Sequence, residues 1–312
     1  MRAIIHSRVE SPFCLARQLL SVDIQDRARI QCLGYSCVAA CEERLVKKVR
    51  VVSVLIWFCL ACGIVHGEVV SIPLLDQPHD IPAISGELAM PEGPGPFPAV
   101  ILLHGCGGLT PASRQRAAQW AALYREIGYV TLIPDSFTPR GWYGCRNRDP
   151  NSQITLRHRV VDAYSALAFL AAQPFIDKER VVLEGMSQGG GAVLRALTTD
   201  DPTDQHGTFA AGIAFYPPCL HFVPSLLRAP VLILIGEKDG TTPAGHCPSP
   251  PAAHAPVDYR LTVYAGATHD YDVDIAGRYF RGDYREFHRE ATADSARQIR
   301  QFLSAHVPAA QR

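Results

Sequence analysis

The chain has no run of five or more basic residues, no internal repeat and no low-complexity tract. Without a basic stripe it lacks the electrostatic footprint of a nucleic-acid binder. It has no H-E-x-x-H pair and no glycine-rich phosphate-binding loop, so the usual sequence grounds for a metalloprotease or nucleotide-dependent enzyme are missing. The uncharged run Val51 to Val65 is fifteen residues long, too short to cross a bilayer comfortably. Net formal charge is absent too, with 30 basic and 30 acidic side chains. Residues 1–67 hold nine of the basic and five of the acidic groups, which leaves 21 and 25 for residues 68–312. That part is slightly acidic, which again argues against a nucleic-acid partner.

What the chain does have is a serine in a demanding context. Gly185-Met186-Ser187-Gln188-Gly189 follows the apolar run in Arg180 to Glu184 and precedes Gly190 to Leu197, which reads as a helix. A G-x-S-x-G turn between strand and helix is a nucleophile elbow: small neighbours allow the sharp turn that lifts the hydroxyl above the sheet edge. A hydroxyl attacks poorly unless a base takes its proton, so a histidine and an acid are required. Among the histidines downstream of Ser187, His269 stands out: it comes directly after a short strand, Arg260 to Tyr264, in the loop Ala265-Gly-Ala-Thr-His269. Ala229 to Ile235 is a nearly continuous apolar run, as in a parallel strand covered on both faces. It leads into Gly236-Glu237-Lys238-Asp239-Gly240. Asp239 is the candidate acid and Glu237 the fallback.

A further strand, Pro98 to Leu103, runs into His104-Gly105-Cys106-Gly107-Gly108. Acyl transfer builds negative charge on a carbonyl oxygen, and preorganised backbone N–H groups lower that barrier. The expected donors are Cys106 and Gln188, and His104 is read as ordering the loop. Asp135, at another strand end, is read as a structural hydrogen-bonding group. Helices are expected over 117–127, 159–172, 190–197 and 285–302, and strands over 84–89, 129–133 and 209–216. Such alternation predicts a mostly parallel central sheet with helices on both faces.

Leu102 to Leu109, Ile133 to Phe137, Gly185 to Gly190, Phe215 to Pro217, Leu234 to Asp239 and Tyr264 to His269 together resemble the dienelactone hydrolase family. The resemblance spans roughly residues 84–305, and is to a serine-bearing, secreted branch of that family. It implies an α/β-hydrolase fold and a Ser187–His269–Asp239 site that needs no metal or cofactor. It also implies departures. The family's cysteine nucleophile is Ser187 here, and its oxyanion-loop glutamate is Gly105. Of the two arginines that hold the carboxylate of its lactone substrates, Arg140 matches the first and nothing matches the second, since Arg278 is the nearest arginine after His269. The expected reaction is therefore hydrolysis of a small carboxylic ester or lactone. Alternatives are a serine peptidase or acyl-aminoacyl hydrolase of related fold, which would usually carry a large extra domain, and a non-catalytic binding module, which would be expected to lack a triad member. The expected partner is a small molecule, with no nucleic acid.

Lys47-Lys48-Val49-Arg50, the run to Val65, and His66-Gly67 have the form of a secretory signal peptide. An uncleaved membrane anchor is the lesser alternative. Signal peptides open a chain, so residues 1–46 are expected to be a non-native or unstructured extension. Residues 47–67 are then the signal, and 68–312 one hydrolase domain in the periplasm or outside the cell, without stable membrane association. That domain holds four cysteines, Cys106, Cys145, Cys219 and Cys247. An even count in an exported protein suggests two disulfides, and Cys106–Cys145 with Cys219–Cys247 is the favoured pairing of three.

Overall fold

Eight strands form one sheet in the order β1-β2-β4-β3-β5-β6-β7-β8. They are β1 Glu68–Pro73, β2 Ala83–Ala89, β3 Phe97–Leu103, β4 Val130–Asp135, β5 Ile176–Met186, β6 Ala211–Phe215, β7 Val231–Gly236 and β8 Tyr259–Tyr264. Only the β1–β2 and β2–β4 pairings are antiparallel, so β2 runs against the rest; from β4 to β8 every pairing is parallel. The computed structural model describes residues 67–75, 81–144, 155–198, 207–250 and 257–308. All fall within one compact unit, Val65–Arg312. Of the N-terminal readings, the extension over residues 1–46 and all of the signal segment except Gly67 lie outside the described residues, and so does Cys145.

The parallel strands are apolar along their whole length because both faces are covered. Every residue of β3, β6 and β7 is buried, as expected when helices pack on both sides. Helix α1, Pro111–Glu126, joins β3 to β4, and α2, Leu156–Ala171, joins β4 to β5. These crossovers run in opposite directions across the sheet, so the right-handed rule puts α1 and α2 on opposite faces. Helix α3, Gln188–Ala196, shares a face with α2, where the Tyr164 hydroxyl donates to the Ala196 carbonyl at 3.0 Å. The closing helix α4, Arg289–His306, meets α1 through an Arg300–Glu126 ion pair of 2.8 Å. The chain leaves β3 toward β4 but leaves β5 toward β6. The carboxyl ends of these adjacent strands form a topological switch point, where open α/β sheets bind ligands.

Several elements differ from the sequence reading. Helix α1 starts at Pro111 rather than near residue 117, because the Thr110 hydroxyl caps it, accepting from the Ser113 N–H at 3.3 Å, and Pro111 suits the first turn. Helix α4 starts four residues later than read, capped by the His288 side chain. Strand β1 was not expected: it is a largely exposed edge strand whose Val69, Val70 and Ile72 do not alternate strictly with polar residues, and only Ile72 is buried. A separate hairpin was also missed, β9 Arg278–Phe280 and β10 Asp283–Arg285. Arg281 and Gly282 both have positive φ, 54° and 85°, the backbone of a two-residue turn that matches strand twist. With an arginine in the first position, that turn has no ready sequence signature.

Two buried features hold the sheet's carboxyl end. Cys219, after β6, is joined to Cys247 in the loop that follows β7, closing 28 residues. Glu184, in β5 just before the elbow, is fully buried and accepts from the Tyr124 hydroxyl. Burial pushes its carboxyl up to about 8, against the Tyr124 hydrogen bond and with the help of Asp272.

Replacing both Cys219 and Cys247 by serine is expected to destabilise the fold by about 3–4 kcal/mol in urea melts, the chain-entropy value for a loop of this size. Glu184→Gln should also reveal a pH dependence. The unfolded carboxyl ionises from its ordinary value of 4.5, while the folded one resists until about 8. Native stability therefore falls through this window as pH rises. The Tm advantage of the glutamine variant should grow across that range and level off above it.

Candidate active site

Ser187 sits on the turn between β5 and α3 with φ 53° and ψ −116°. This is a sparsely populated conformation for a residue with a side chain, and holding it costs about 1–3 kcal/mol. The surroundings enforce it. The Ser187 N–H donates to the Phe215 carbonyl at 2.9 Å, and the Ser187 carbonyl accepts from the Gly191 N–H at 3.0 Å. The flanking glycines are obligatory: a Cβ on Gly185 would lie 2.3 Å from the Gly189 carbonyl oxygen, and one on Gly189 would lie 2.4 Å from that of Leu103.

The serine Oγ is 3.1 Å from His269 Nε2, and His269 Nδ1 is 2.7 Å from Asp239 Oδ2. His269 and Asp239 are both buried, 2% and 3% exposed. Asp239 Oδ1 accepts the backbone N–H groups of Thr241 and Thr242 at 2.9 and 2.7 Å, and Oδ2 accepts the Thr242 hydroxyl at 2.8 Å. Those bonds fix the orientation of the carboxylate. The Nδ1 proton is thereby directed to Asp239, which leaves Nε2 as the acceptor facing the serine hydroxyl. Glu237, the fallback acid, is exposed, and its Oε2 accepts from the Gly266 N–H at 2.9 Å.

Behind the histidine lies a polar network that the sequence reading missed. The Tyr216 ring packs 4.7 Å from the His269 ring, between centroids. Arg116 Nη1 donates to the Tyr216 hydroxyl at 2.8 Å and to Asp270 at 2.7 Å, and Tyr216 in turn donates to Asp272 at 2.8 Å. Burial alone would raise Asp270; Arg116, with His269 and Arg285, brings it down to about 2. Arg285 of the hairpin bonds the same Asp270, while Asp283 accepts from the Thr241 hydroxyl at 2.5 Å. The hairpin is thus fastened to both loops, the one that follows Asp239 and the one that follows His269. These groups are far apart in sequence and ordinary in type, so only the strand of origin of Tyr216 was legible.

Ser187 and His269 open onto a cavity of about 850 Å³. Gly105, Cys106 and Gly107 line one side, and Phe280, Arg281 and Arg285 of the hairpin line another. Cys106 faces the cavity, and Gln188 opens α3 directly after the serine. Cys106 and Cys219 with Cys247 are all disulfide-bonded. Asp135 Oδ1 accepts the N–H groups of Phe137 and Thr138 at 3.1 and 3.0 Å, which turns the chain at the end of β4.

Arg140 requires a correction. Its side chain is completely buried and does not line the cavity. It forms a two-pronged pair with Asp162 of α2 at 2.7 and 3.0 Å and donates to the Ser136 carbonyl at 2.7 Å. The sequence could not show this partner, because Asp162 lies 22 positions away, on a buried helix face that also carries Arg159 and Ser165. The structure therefore gives Arg140 a role in seating the loop after β4 on α2, in place of substrate binding.

The model of the family described as "Dienelactone hydrolase family" matches residues 84–307. A quorum-quenching protein, AidA of Acinetobacter baumannii, is 26% identical over 179 residues, 54% of this chain and 55% of that protein. A thiohydrolase, aneE of Aspergillus aculeatus, is 30% identical over 118 residues, 38% of this chain and 34% of that protein. The chain thus spans about half the length of the first of these relatives and a third of the second. Among solved structures, a dienelactone hydrolase-like promiscuous phosphotriesterase from metagenomic libraries aligns with a TM-score of 0.57 at 21% identity, covering 77% of this chain and 99% of that one. Esterase 2 of Thermogutta terrifontis, phosphorylated by paraoxon, aligns with a TM-score of 0.57 at 19% identity, covering 79% and 96%. At these identities the structures speak for the fold.

Removing one member of a buried pair leaves the other charge uncompensated, which typically costs about 3–5 kcal/mol. Asp162→Ala should show a loss of that size in denaturant melts, while the fraction that stays folded keeps its KM for a neutral ester.

Proposed function

The chain belongs to the dienelactone hydrolase family of α/β-hydrolases, which act on ester bonds, and on that footing we propose that it cleaves a small carboxylic ester or lactone through an acyl-enzyme on Ser187. The observation that carries this reading is the continuous relay from Asp239 to His269 to Ser187, at 2.7 and 3.1 Å, facing an open cavity. His269 Nε2 takes the serine proton as Oγ attacks the carbonyl carbon. Asp239 holds the imidazole tautomer and stabilises the imidazolium. The oxyanion is received by the N–H groups of Cys106 and Gln188. His269 returns the proton to the departing alcohol, then activates a water that releases the acid and restores the serine.

One observation bears on substrate charge. Arg278 and Arg281 line the cavity, and among the described residues neither has a carboxylate partner within ion-pair distance. This favours an ester that carries an anionic group over a strictly neutral one. The relative described as a thiohydrolase makes a thioester a natural member of any substrate series. Export is part of the same proposal: the signal-like segment over 47–67 fits it, and the Cys219–Cys247 disulfide suits an oxidising compartment. Among the described residues no helix is long and apolar enough to cross a membrane.

The test is hydrolysis of p-nitrophenyl esters from acetate to octanoate, with a succinate monoester and an acyl thioester alongside. Ser187→Ala is expected to lower kcat by about 10⁴-fold or more, as loss of a triad nucleophile does elsewhere. Full activity in that variant would rule out Ser187 as the nucleophile.

A further inference from the structure

The loop after β3 is held by buried groups that the acyl-transfer steps do not use. His104 is 3% exposed and Arg159, from α2, is fully buried. His104 Nδ1 lies 2.8 Å from the Gly105 carbonyl oxygen. A carbonyl can only accept, so Nδ1 carries the proton. Nε2 is then the acceptor, and two donors converge on it: the Ser136 backbone N–H at 3.2 Å and Arg159 Nη1 at 3.1 Å. Arg159 Nη2 also donates to the His104 carbonyl at 2.7 Å, gripping both ring and backbone. Phe137 closes against the imidazole with ring centroids 4.5 Å apart. Burial first, and the Arg159 charge second, hold this histidine well below the ordinary imidazole value, so the ring is neutral. Burial also lowers Arg159, to about 10 with Asp162 opposing, and it stays charged at neutral pH.

The consequence appears on the other edge of one peptide. The Gly105 carbonyl and the Cys106 N–H belong to a single planar trans unit and point in opposite directions. Pinning the carbonyl therefore sets where the N–H aims. The same carbonyl accepts from the Gly108 N–H at 3.2 Å, so two donors hold it. Gly105 also lies against the elbow, where a Cβ would be 3.3 Å from the Met186 carbonyl oxygen and 3.4 Å from the Ser187 Cβ. The elbow packs closely on this peptide, and the His104 and Gly108 donors together oppose its rotation.

We propose that His104, seated by Arg159, is a positioning residue that orients the Gly105–Cys106 peptide so that its N–H receives the oxyanion formed when Ser187 attacks. The proposal rests on the serine acyl-transfer reading given above. A donor aligned in this way interacts most strongly with charge that exists only in the transition state. Its loss therefore shows in kcat and leaves KM nearly unmoved. A histidine that merely filled core space would not produce that split.

Three variants test this: His104→Leu, which keeps the bulk and removes the donor; His104→Asn, whose Nδ2 can donate from the place of the imidazole Nδ1; and Arg159→Met. Each is assayed for kcat and KM on p-nitrophenyl butyrate and for inhibition by an aryl trifluoromethyl ketone. The ketone's hemiketal with Ser187 carries an oxyanion like that of the transition state. His104→Leu and Arg159→Met should lose about 10–100-fold in kcat with KM within about twofold, a part of the effect of deleting an oxyanion donor. Their Ki for the ketone should rise by the same factor as kcat/KM falls, and His104→Asn should recover most of both losses. A folded leucine variant with native kcat and Ki overturns the proposal, as does a loss confined to KM. If the leucine and methionine variants fail to fold, His104→Asn is compared with His104→Gln, whose amide nitrogen reaches the place of the imidazole Nε2 instead of Nδ1: native kcat and Ki in the first beside a parallel loss of both in the second, at unmoved KM, support the positioning role, and equal values in the two folded variants overturn it. Ser187→Ala, run beside them, separates the two readings. Full activity there defeats the acyl-enzyme itself, whereas an inactive Ser187→Ala beside a fully active His104→Leu defeats only the positioning role.

Discussion

The whole site depends on how closely two stretches of backbone approach each other. The ends of β3 and β5 are neighbours in the sheet, and beyond them the Gly189 backbone passes directly beneath the carbonyls of Leu103 and His104. A single methyl group at Gly189 would collide with both carbonyls. This contact fixes the distance between the serine and the loop expected to receive the oxyanion. It also explains the strained Ser187 backbone, because a relaxed turn would carry the hydroxyl away from that loop. The strain is offset by pairing in the sheet and by the buried core of β3, β6 and β7.

From that contact the remaining parts follow outward in layers. Asp239 and His269 arrive on loops after β7 and β8, which are bonded to each other in register up to their last residues, Gly236 and Tyr264. Backbone and threonine donors immobilise the aspartate, and Tyr216 supports the imidazole from behind. The hairpin between His269 and α4 then ties these loops together through Asp270, Asp283 and Arg285. The groups proposed to carry the chemistry thus sit at the switch point, while the inserted hairpin and the glycine-rich loop form the cavity walls.

The sequence disclosed the parts of this design that local rules control. Continuous apolar runs marked β3 and β7 because both faces of a parallel strand are covered. The elbow was legible because the steric demands of Gly185 and Gly189 leave a five-residue pattern, and His269 and Asp239 because each follows a strand end. What stayed hidden was set by long-range geometry. The ion pair of Arg140 with Asp162 and the clamp of Arg159 on His104 join residues 22 and 55 positions apart. Nothing in the local pattern around either arginine announces its partner. Strand β1 escaped notice because its three apolar residues, Val69, Val70 and Ile72, do not alternate strictly, and the β9–β10 turn because arginine occupies a position usually given to asparagine or glycine.

The central claim is a covalent acyl-serine, and trapping it is the most direct measurement. The protein would be mixed with excess p-nitrophenyl butyrate, quenched in acid within the first turnovers, digested and mapped by mass spectrometry. A single butyryl group on the peptide carrying Ser187, formed together with a stoichiometric burst of p-nitrophenolate, is the predicted result. Turnover without any acyl group on Ser187, or with the label on another side chain, would contradict the account.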